Sequence, residues 1–507
     1  MKKLSLILAA LMLAGLLVPL AGCSDDNEKV VTLRVSSWEE YIDLGDWDED
    51  EEIYLEESDL TILGVNSMVD DFTEWFNSGD HGFKVKVEYS TFGTNEDLYN
   101  RLSLGDTYDL VCPSDYMIMK LLAEGKIEKY SEGFLESGEY TQNVSDYIAG
   151  VYEENGWTEY AACYMWGTSG FVYNPDKLVN DADISSCEIL LNPDYKRAVT
   201  IKDNVRDAYF ATLSIIYNEE LHAILSNSEL TSDEVTRELS RLLNDTESET
   251  IERAEDILKR IKGNVYSFET DSGKADMVTG KVVANYQWSG DAVYIIDEAD
   301  EDDTELWYSV PEECSNLWFD GWVMLKDGIG GNEQKREAAE AFVNFLSRPE
   351  NAIRNMYYIG YTSSIATKEV SEYMEWNYGA ETDDTDEYDL GYFFGDGYTL
   401  TVDRENFEYD GDDINSANRG RQLFAQYPPQ NVIARSVVML DFEDKLAEIN
   451  QMWINVRCPD LKDVSPAVWG VVGGIAGVSV IAICLYIFRH KIFTGYRPKK
   501  GYEKVEK

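Results

Sequence analysis

Apolar and polar positions first alternate at Val31, Leu33 and Val35, which predicts a strand from Val30 to Ser36 ending at Trp38-Glu39-Glu40-Tyr41. A helical stripe follows from Val69 to Asn77, with Phe72, Trp75 and Phe76 facing inward. Alternation returns over Phe83 to Ser90 as a second strand. Asn95 to Gly105 reads as a helix, Tyr108 to Ser114 as a short buried strand running into a loop, and Met117 to Gly125 as another helix. Further on, strands are predicted at Trp166 to Tyr173, Ala198 to Ile201, Lys281 to Trp288 and Trp322 to Leu325. Helices are predicted at Asp207 to Tyr217, Thr231 to Leu243, Glu249 to Lys262, Glu333 to Leu346 and Asp441 to Val456. Strands alternating with helices predict an α/β fold with largely parallel sheets. Two acidic stretches, 43–59 and the Tyr/Gly-rich 371–420, break the pattern and read as surface insertions.

The ends carry their own signals. Lys2 and Lys3, the apolar run Leu4 to Leu20 and the sequence Leu20-Ala21-Gly22-Cys23 read as a lipoprotein signal peptide over 1–23, with Cys23 the lipidated residue. Ala467 to Phe488 is uncharged, and 22 helical residues reach about 33 Å, enough for a hydrocarbon core of about 30 Å. The basic tail 489–507 then predicts a cytoplasmic C-terminus. The chain is therefore expected on the extracytoplasmic face of a bacterial membrane, lipid-anchored and single-pass.

Charge sharpens this layout. The 507 residues carry a formal net charge of −53, and with +2 in the leader and +5 in the tail the stretch 24–464 carries −60. Such a field repels phosphates, which excludes nucleic acid as a partner and leaves cationic ligands open. Aromatics at 12% supply ample core, and the length implies two or three domains. Enzyme signals are sparse. The three histidines have no metal spacing, and neither a G-x-S-x-G elbow nor a P-loop appears. No cofactor or metal is implied; Asp410-Gly411-Asp412-Asp413 lacks a full calcium-loop pattern and reads as a solvated loop. Cys112, Cys163, Cys187, Cys314 and Cys458 form an odd set without C-x-x-C spacing; most read as buried thiols, with one bridge left open.

One arrangement recurs, an aromatic beside a carboxylate at a strand end. Trp38 stands with Glu39, Glu40 and Tyr41, Tyr116 follows Ser114-Asp115, Trp288 precedes Asp291, and Trp318 precedes Asp320. A ring face attracts a cation and a carboxylate adds charge-assisted hydrogen bonds to an ammonium group. Several such pairs suit a flexible ligand with two or more amines.

These residues resemble the substrate-binding proteins of polyamine (spermidine/putrescine) ABC transporters, within the bacterial extracellular solute-binding family. Trp38-Glu39-Glu40-Tyr41 resembles the family's W-x-E-Y, and Tyr108 to Tyr116 its Y-D-L-V-x-P-S-x-Y. Trp166-Gly167-Thr168-Ser169-Gly170, Trp288-Ser289-Gly290-Asp291-Ala292 and Ala338 to Ile365 continue in the same order. The resemblance implies a two-lobed, type II periplasmic-binding clam shell, with 30–165 and 289–330 in lobe 1 and 166–288 and 331–456 in lobe 2. It implies no enzymatic activity, a polyamine ligand, and an ABC permease with its ATPase as partners. Ligand contacts would fall on Trp38, Glu40, Tyr41, Ser114, Tyr116, Asp207, Trp288, Asp291, Trp318 and Asp320. Asp207 and Asn204 depart from the family's D-D-x-R-E, which leaves the preferred amine open. Alternatives are a binding protein of the same fold for another cation or a peptide, and a surface glycosidase using paired carboxylates.

Overall fold

The first strand, β1 (Val30–Trp38), forms because Val31, Leu33 and Val35 alternate onto a buried face. The computed structural model describes residues 29–270, 272–409 and 413–458. β1 pairs in parallel with β2 (Lys84–Phe92) on one side and with β3 (Leu110–Val111) on the other. β4 (Ala161–Tyr173) is 13 residues long and buried throughout. β5 (Val199–Lys202) and β6 (Ser267–Glu269) pair in parallel. β7 (Ala284–Trp288) lies between β5 and the Ser169–Tyr173 half of β4, while β8 (Trp307–Ser309) covers the other side of that half. β9 (Ser315–Leu325), also wholly buried, runs antiparallel along Ala161–Thr168 and joins β3. β4 therefore runs from one sheet into the other, with β9 alongside it at the crossing.

Buried apolar side chains gather into two cores, the first of which spans the crossing of β4 and takes in Val172 and Tyr308 of the second sheet. The first holds β1 to β3 and most of 292–432; the second holds most of 171–286 together with Val437 to Val456. Three helices begin at the junction: α1 is set aside in lobe 1 as Met68–Ser78, whereas α2 (Asp115–Ala123), α3 (Val205–Ile216) and α4 (Ser289–Asp300) all start where strands end. α5 (Glu333–Leu346) sets Phe342 and Phe345 against Phe72 of α1 and so packs in the first core. The expected boundaries put all of 331–456 in the second lobe; α5 packs instead against α1, while Phe407–Glu408 and Arg419–Gly420 extend the second sheet beside β8 and Val437 to Val456 join the second core.

The two acidic stretches are more than surface appendages. Within 43–59, Asp43, Trp47, Ile53 and Leu55 are buried, and Ile53–Leu55 pairs with Leu60–Ile62 as a hairpin. Arg354, on α6 (Pro349–Ile359), ties this segment down by bonding Asp43, Asp71 at 2.6 Å and the Asn66 carbonyl. The second stretch folds as a helix (Lys368–Tyr378) and a hairpin of Thr385–Asp389 with Thr399–Asp403. Its Phe393 stacks on Trp166 at 5.5 Å, which places an aromatic plug beneath β4. Of the Asp410 to Asp413 loop, residues 410–412 lie outside the described residues. Cys112, Cys163, Cys187 and Cys314 are buried free thiols and Cys458 is free and exposed.

One expectation is corrected. The clam shell was expected to carry a transmembrane helix over 467–488; among the described residues no helix is long and apolar enough to cross a membrane. The single-pass topology with a cytoplasmic tail therefore finds no support among the described residues. Those residues, like Cys23 of the expected lipid anchor, lie outside the described residues.

Because Asp43 is fully buried, removing its guanidinium partner strands a charge. Arg354→Met is expected to destabilise the protein by about 3 kcal/mol or more in urea denaturation. A loss below about 1 kcal/mol would mean that the ion pair behaves as an exposed one.

Candidate functional site

Strand ends and helix starts build the cleft between the lobes. After β1, Glu40 takes φ 51, a left-handed turn that strains a glutamate but reverses the chain. Tyr41 is thereby tucked into the core and the Glu40 side chain left outermost. Ser114, Asn204 and Trp288 are the N-cap residues of α2, α3 and α4. Asp115, Asp207 and Asp291 consequently fall in first turns, where the helix dipole favours negative charge. In open α/β sheets ligands bind beyond the carboxyl ends of the strands. Here those ends converge on a cleft of about 940 Å³.

All the expected contact residues line this cleft: Trp38, Glu40, Tyr41, Ser114, Tyr116, Asp207, Trp288, Asp291, Trp318 and Asp320. Trp38 and Trp288 approach edge to face at 6.2 Å from opposite lobes. Trp318 donates its indole N–H to the Thr168 carbonyl at 3.1 Å, which fixes the ring against the crossing point of β4. Asp320 sits at a register shift in β9 and accepts the Tyr41 hydroxyl at 2.6 Å on Oδ2; its Oδ1 is buried without a hydrogen-bond partner. Asp207 accepts the Trp288 indole N–H at 3.2 Å. Asn95 donates to both the Ser114 and Tyr116 hydroxyls, at 3.0 and 2.9 Å.

Burial pushes Asp207 and Asp320 up to about 6 each, against the Trp288 hydrogen bond and the fields of Lys202 and Arg206 at Asp207 and against the Ser114 and Tyr41 hydroxyls at Asp320. Asp115 is driven further, to about 8, by desolvation that two backbone N–H donors only partly offset. Asp291 goes the other way. Burial opposes its ionisation, but the fields of Lys202 and Lys274 outweigh that cost and hold it below the ordinary carboxylate value. Both lysines contact it at 3.1 Å.

Lys202, Lys274, Arg206 and Tyr361 were not singled out from the sequence, and Asp115, read as the acid of the second aromatic–carboxylate arrangement, was not among the expected contacts. The Arg206 guanidinium, bonded to Asp441 at 3.1 Å, lies 3.9 Å from the Tyr116 ring centre and so bridges the lobes. Tyr361 donates to Asp291 at 3.1 Å; a Cβ on Gly290 would stand 2.1 Å from its ring, so glycine is what lets it close. The Ile359-Gly360-Tyr361 motif and the position of Lys202 just before Asp203-Asn204 were the available signals. Nothing marked Lys274, which arrives from a short helix, Ser272–Val278. Among the described residues no group of His, Cys, Asp or Glu is placed to hold a metal ion.

The sequence pattern of one family, bacterial extracellular solute-binding protein, matches residues 67–382. The chain belongs to that family. Its members are extracellular solute-binding proteins rather than enzymes, and the expected single-pass membrane placement finds no support among the described residues. The chain is 27% identical over 289 residues to the spermidine/putrescine-binding periplasmic protein of Escherichia coli (strain K12), covering 56% of this chain and 72% of that one. It is 24% identical over 364 residues to a putrescine-binding periplasmic protein of Pseudomonas aeruginosa, covering 69% and 82%. Among solved structures, a spermidine/putrescine ABC transporter substrate-binding protein of Streptococcus pneumoniae superimposes with a TM-score of 0.52 at 22% identity, covering 84% of this chain and 98% of that one. A lipoprotein of Treponema pallidum gives 0.55 at 16%, covering 84% and 99%. These structural likenesses establish the two-lobed fold of this solute-binding protein.

The raised Asp320 value has a thermodynamic consequence. A carboxyl whose folded pKa is raised contributes stability that is present at low pH and lost as pH rises through about 6. Asp320→Asn, which mimics the protonated form, is therefore expected to raise the unliganded melting temperature most at about pH 8, less at about pH 5 and not at about pH 4. An equal shift at about pH 8 and about pH 4 would contradict the assignment.

Proposed function

We propose that this chain is the extracytoplasmic substrate-binding component of an ABC importer, capturing polyamines of the putrescine and spermidine class and delivering them to a membrane permease driven by an ATPase. One observation carries the reading: Asp320 and Asp207 are buried, mutually repelling carboxylates, one with an unpartnered oxygen, set among tryptophan and tyrosine rings in the cleft. Two acids in that state are an incomplete arrangement that an ammonium group completes. Its N–H donors meet Asp320 Oδ1 and Asp207, and each ring face adds about 0.5–2 kcal/mol of cation–π attraction. Trp38, Trp288 and Trp318 provide flat apolar walls for the methylene chain, while Tyr41, Ser114 and Tyr116 hold the acids and rings in place. Glu40 meets the ligand at the rim. The names of the relatives, binders of spermidine and putrescine, agree with this chemistry. The protein itself makes and breaks no covalent bond. Ligand bridging the lobes favours the closed form, and only to the extent that it binds that form better.

Isothermal titration of the full-length protein with putrescine and with spermidine tests the reading. Heat and a thermal shift are expected with at least one of them; silence from both at about millimolar concentration, the weak end of specific binding, rejects it. Asp320→Asn is expected to weaken binding about tenfold or more, the worth of a charge-assisted hydrogen bond.

The pH response follows from the same two acids. An ammonium ligand binds their ionised forms, so binding near pH 6 releases protons. Affinity is expected to fall between about pH 7.5 and about pH 5, and the titration heat to vary with the ionisation enthalpy of the buffer. Constant affinity across that range would place the ligand elsewhere in the cleft.

A further inference from the structure

The aromatic–carboxylate pair Trp288/Asp291 already holds an ammonium group, and it belongs to the chain. Lys202 ends β5 with its side chain 1% exposed. Its Nζ lies 3.1 Å from Asp291 Oδ2, 2.8 Å from the Thr270 carbonyl and 4.0 Å from the centre of the Trp288 ring. Lys274 reaches the other oxygen, Oδ1, at 3.1 Å, which also accepts the Tyr361 hydroxyl. Both oxygens of Asp291 and a face of Trp288 are thus taken. Two lysines converge on this one carboxylate; Glu40 stands 3.5 Å from Lys274 with its side chain 82% exposed, and the field of Lys202 also reaches Asp207. A ligand ammonium brought to this end meets two like charges in a buried setting, where screening is weak. The Asp207–Asp320 end differs: among the described residues neither acid forms an ion pair, Lys202 and Arg206 act on Asp207 only through their fields, and Asp320 Oδ1 is buried without a hydrogen-bond partner.

We propose that Lys202 and Lys274 are specificity-determining residues: they occupy the ammonium position at Asp291 and restrict the cleft to ligands whose charged groups bind at the Asp207–Asp320 end and the rim. This inference rests on the polyamine reading and refines it. A short diamine satisfies Asp207, Asp320 and the rim acids. A triamine carries an additional aminopropyl arm, whose ammonium is refused where the lysines sit. The class of ligand selected is therefore the diamine.

Titration of the full-length protein, its Lys274→Gln variant and its Lys202→Met/Lys274→Gln variant with putrescine and spermidine tests this. Wild type is expected to bind putrescine about tenfold more tightly than spermidine, the effect of one unfavourable charge contact. Lys274→Gln is expected to narrow that ratio, and the double variant to narrow it further or reverse it. Lys274→Gln alters a partly exposed side chain and keeps the buried Lys202–Asp291 pair, so it remains informative if the double variant fails to fold. Wild-type preference for spermidine, or a ratio unchanged in Lys274→Gln, overturns the inference while leaving polyamine binding intact. Absence of binding to either amine by wild type and by Lys274→Gln overturns the polyamine reading itself and the inference with it.

Discussion

A carboxylate taken out of water must be given a proton or a partner, and the cleft is organised by how that demand is met at four positions. Asp115 is met by protonation and by two backbone N–H donors from Tyr116 and Phe319. Asp291 is met by two lysines and a tyrosine. Asp207 receives an indole N–H and the more distant field of Lys202. Asp320 receives the Tyr41 hydroxyl on Oδ2 and the favourable influence of the Ser114 hydroxyl, and its Oδ1 has no partner in hydrogen-bond geometry. The series runs from fully satisfied to unsatisfied, and the unsatisfied end is where a cation is worth most. Cation recognition thus follows from withholding a partner at one acid and supplying partners at the others.

That gradation requires side chains from distant parts of the chain to hold their places, and two strands provide the frame. β4 passes from one sheet to the other, and β9 runs beside it through the crossing. Trp318 and Asp320 sit on β9, while Trp288 pairs opposite Ser169 on β4 and Gly167 opposite Trp318. A Cβ on Gly167 would stand 2.2 Å from the Ser289 hydroxyl, so the close approach of α4 to this crossing depends on glycine there. Motion between the lobes must therefore flex this frame, since the binding residues of both lobes are anchored within a few residues of it.

The same features decide what could be read from the chain. Trp38, Tyr116, Trp288 and Asp320 were legible because an aromatic beside an acid at a strand end is uncommon chemistry at a recognisable place. β1 was legible because one face is buried and the other is not. β4 and β9 were caught only in part, since strands buried on both faces lose the alternation that marks them. The segment 43–59 looked like a coat because Asp46 to Glu52 dominate its composition; its anchor is Asp43 with Arg354, a contact across more than three hundred residues that no local pattern encodes. Lys274 was invisible for a related reason. Its meaning comes from Asp291 and Glu40, neither of them near it in sequence. Local patterns revealed the acids, and only the fold revealed which of them were already neutralised.

This bears on the net charge of −53. A long-range negative field attracts every cation alike and decays within about 8 Å at physiological salt, so it accelerates encounter without choosing a ligand. Choice belongs to the few contacts inside the cleft, and there the decisive side chains include cations. Arg206 over Tyr116 and Lys274 beside Glu40 join the two lobes across the cleft through the chain's own positive groups. These contacts stabilise the approach of the lobes independently of ligand. A ligand therefore contributes to closure only what it adds beyond them. In so acidic a molecule, selectivity is set by the basic residues placed where the acids converge.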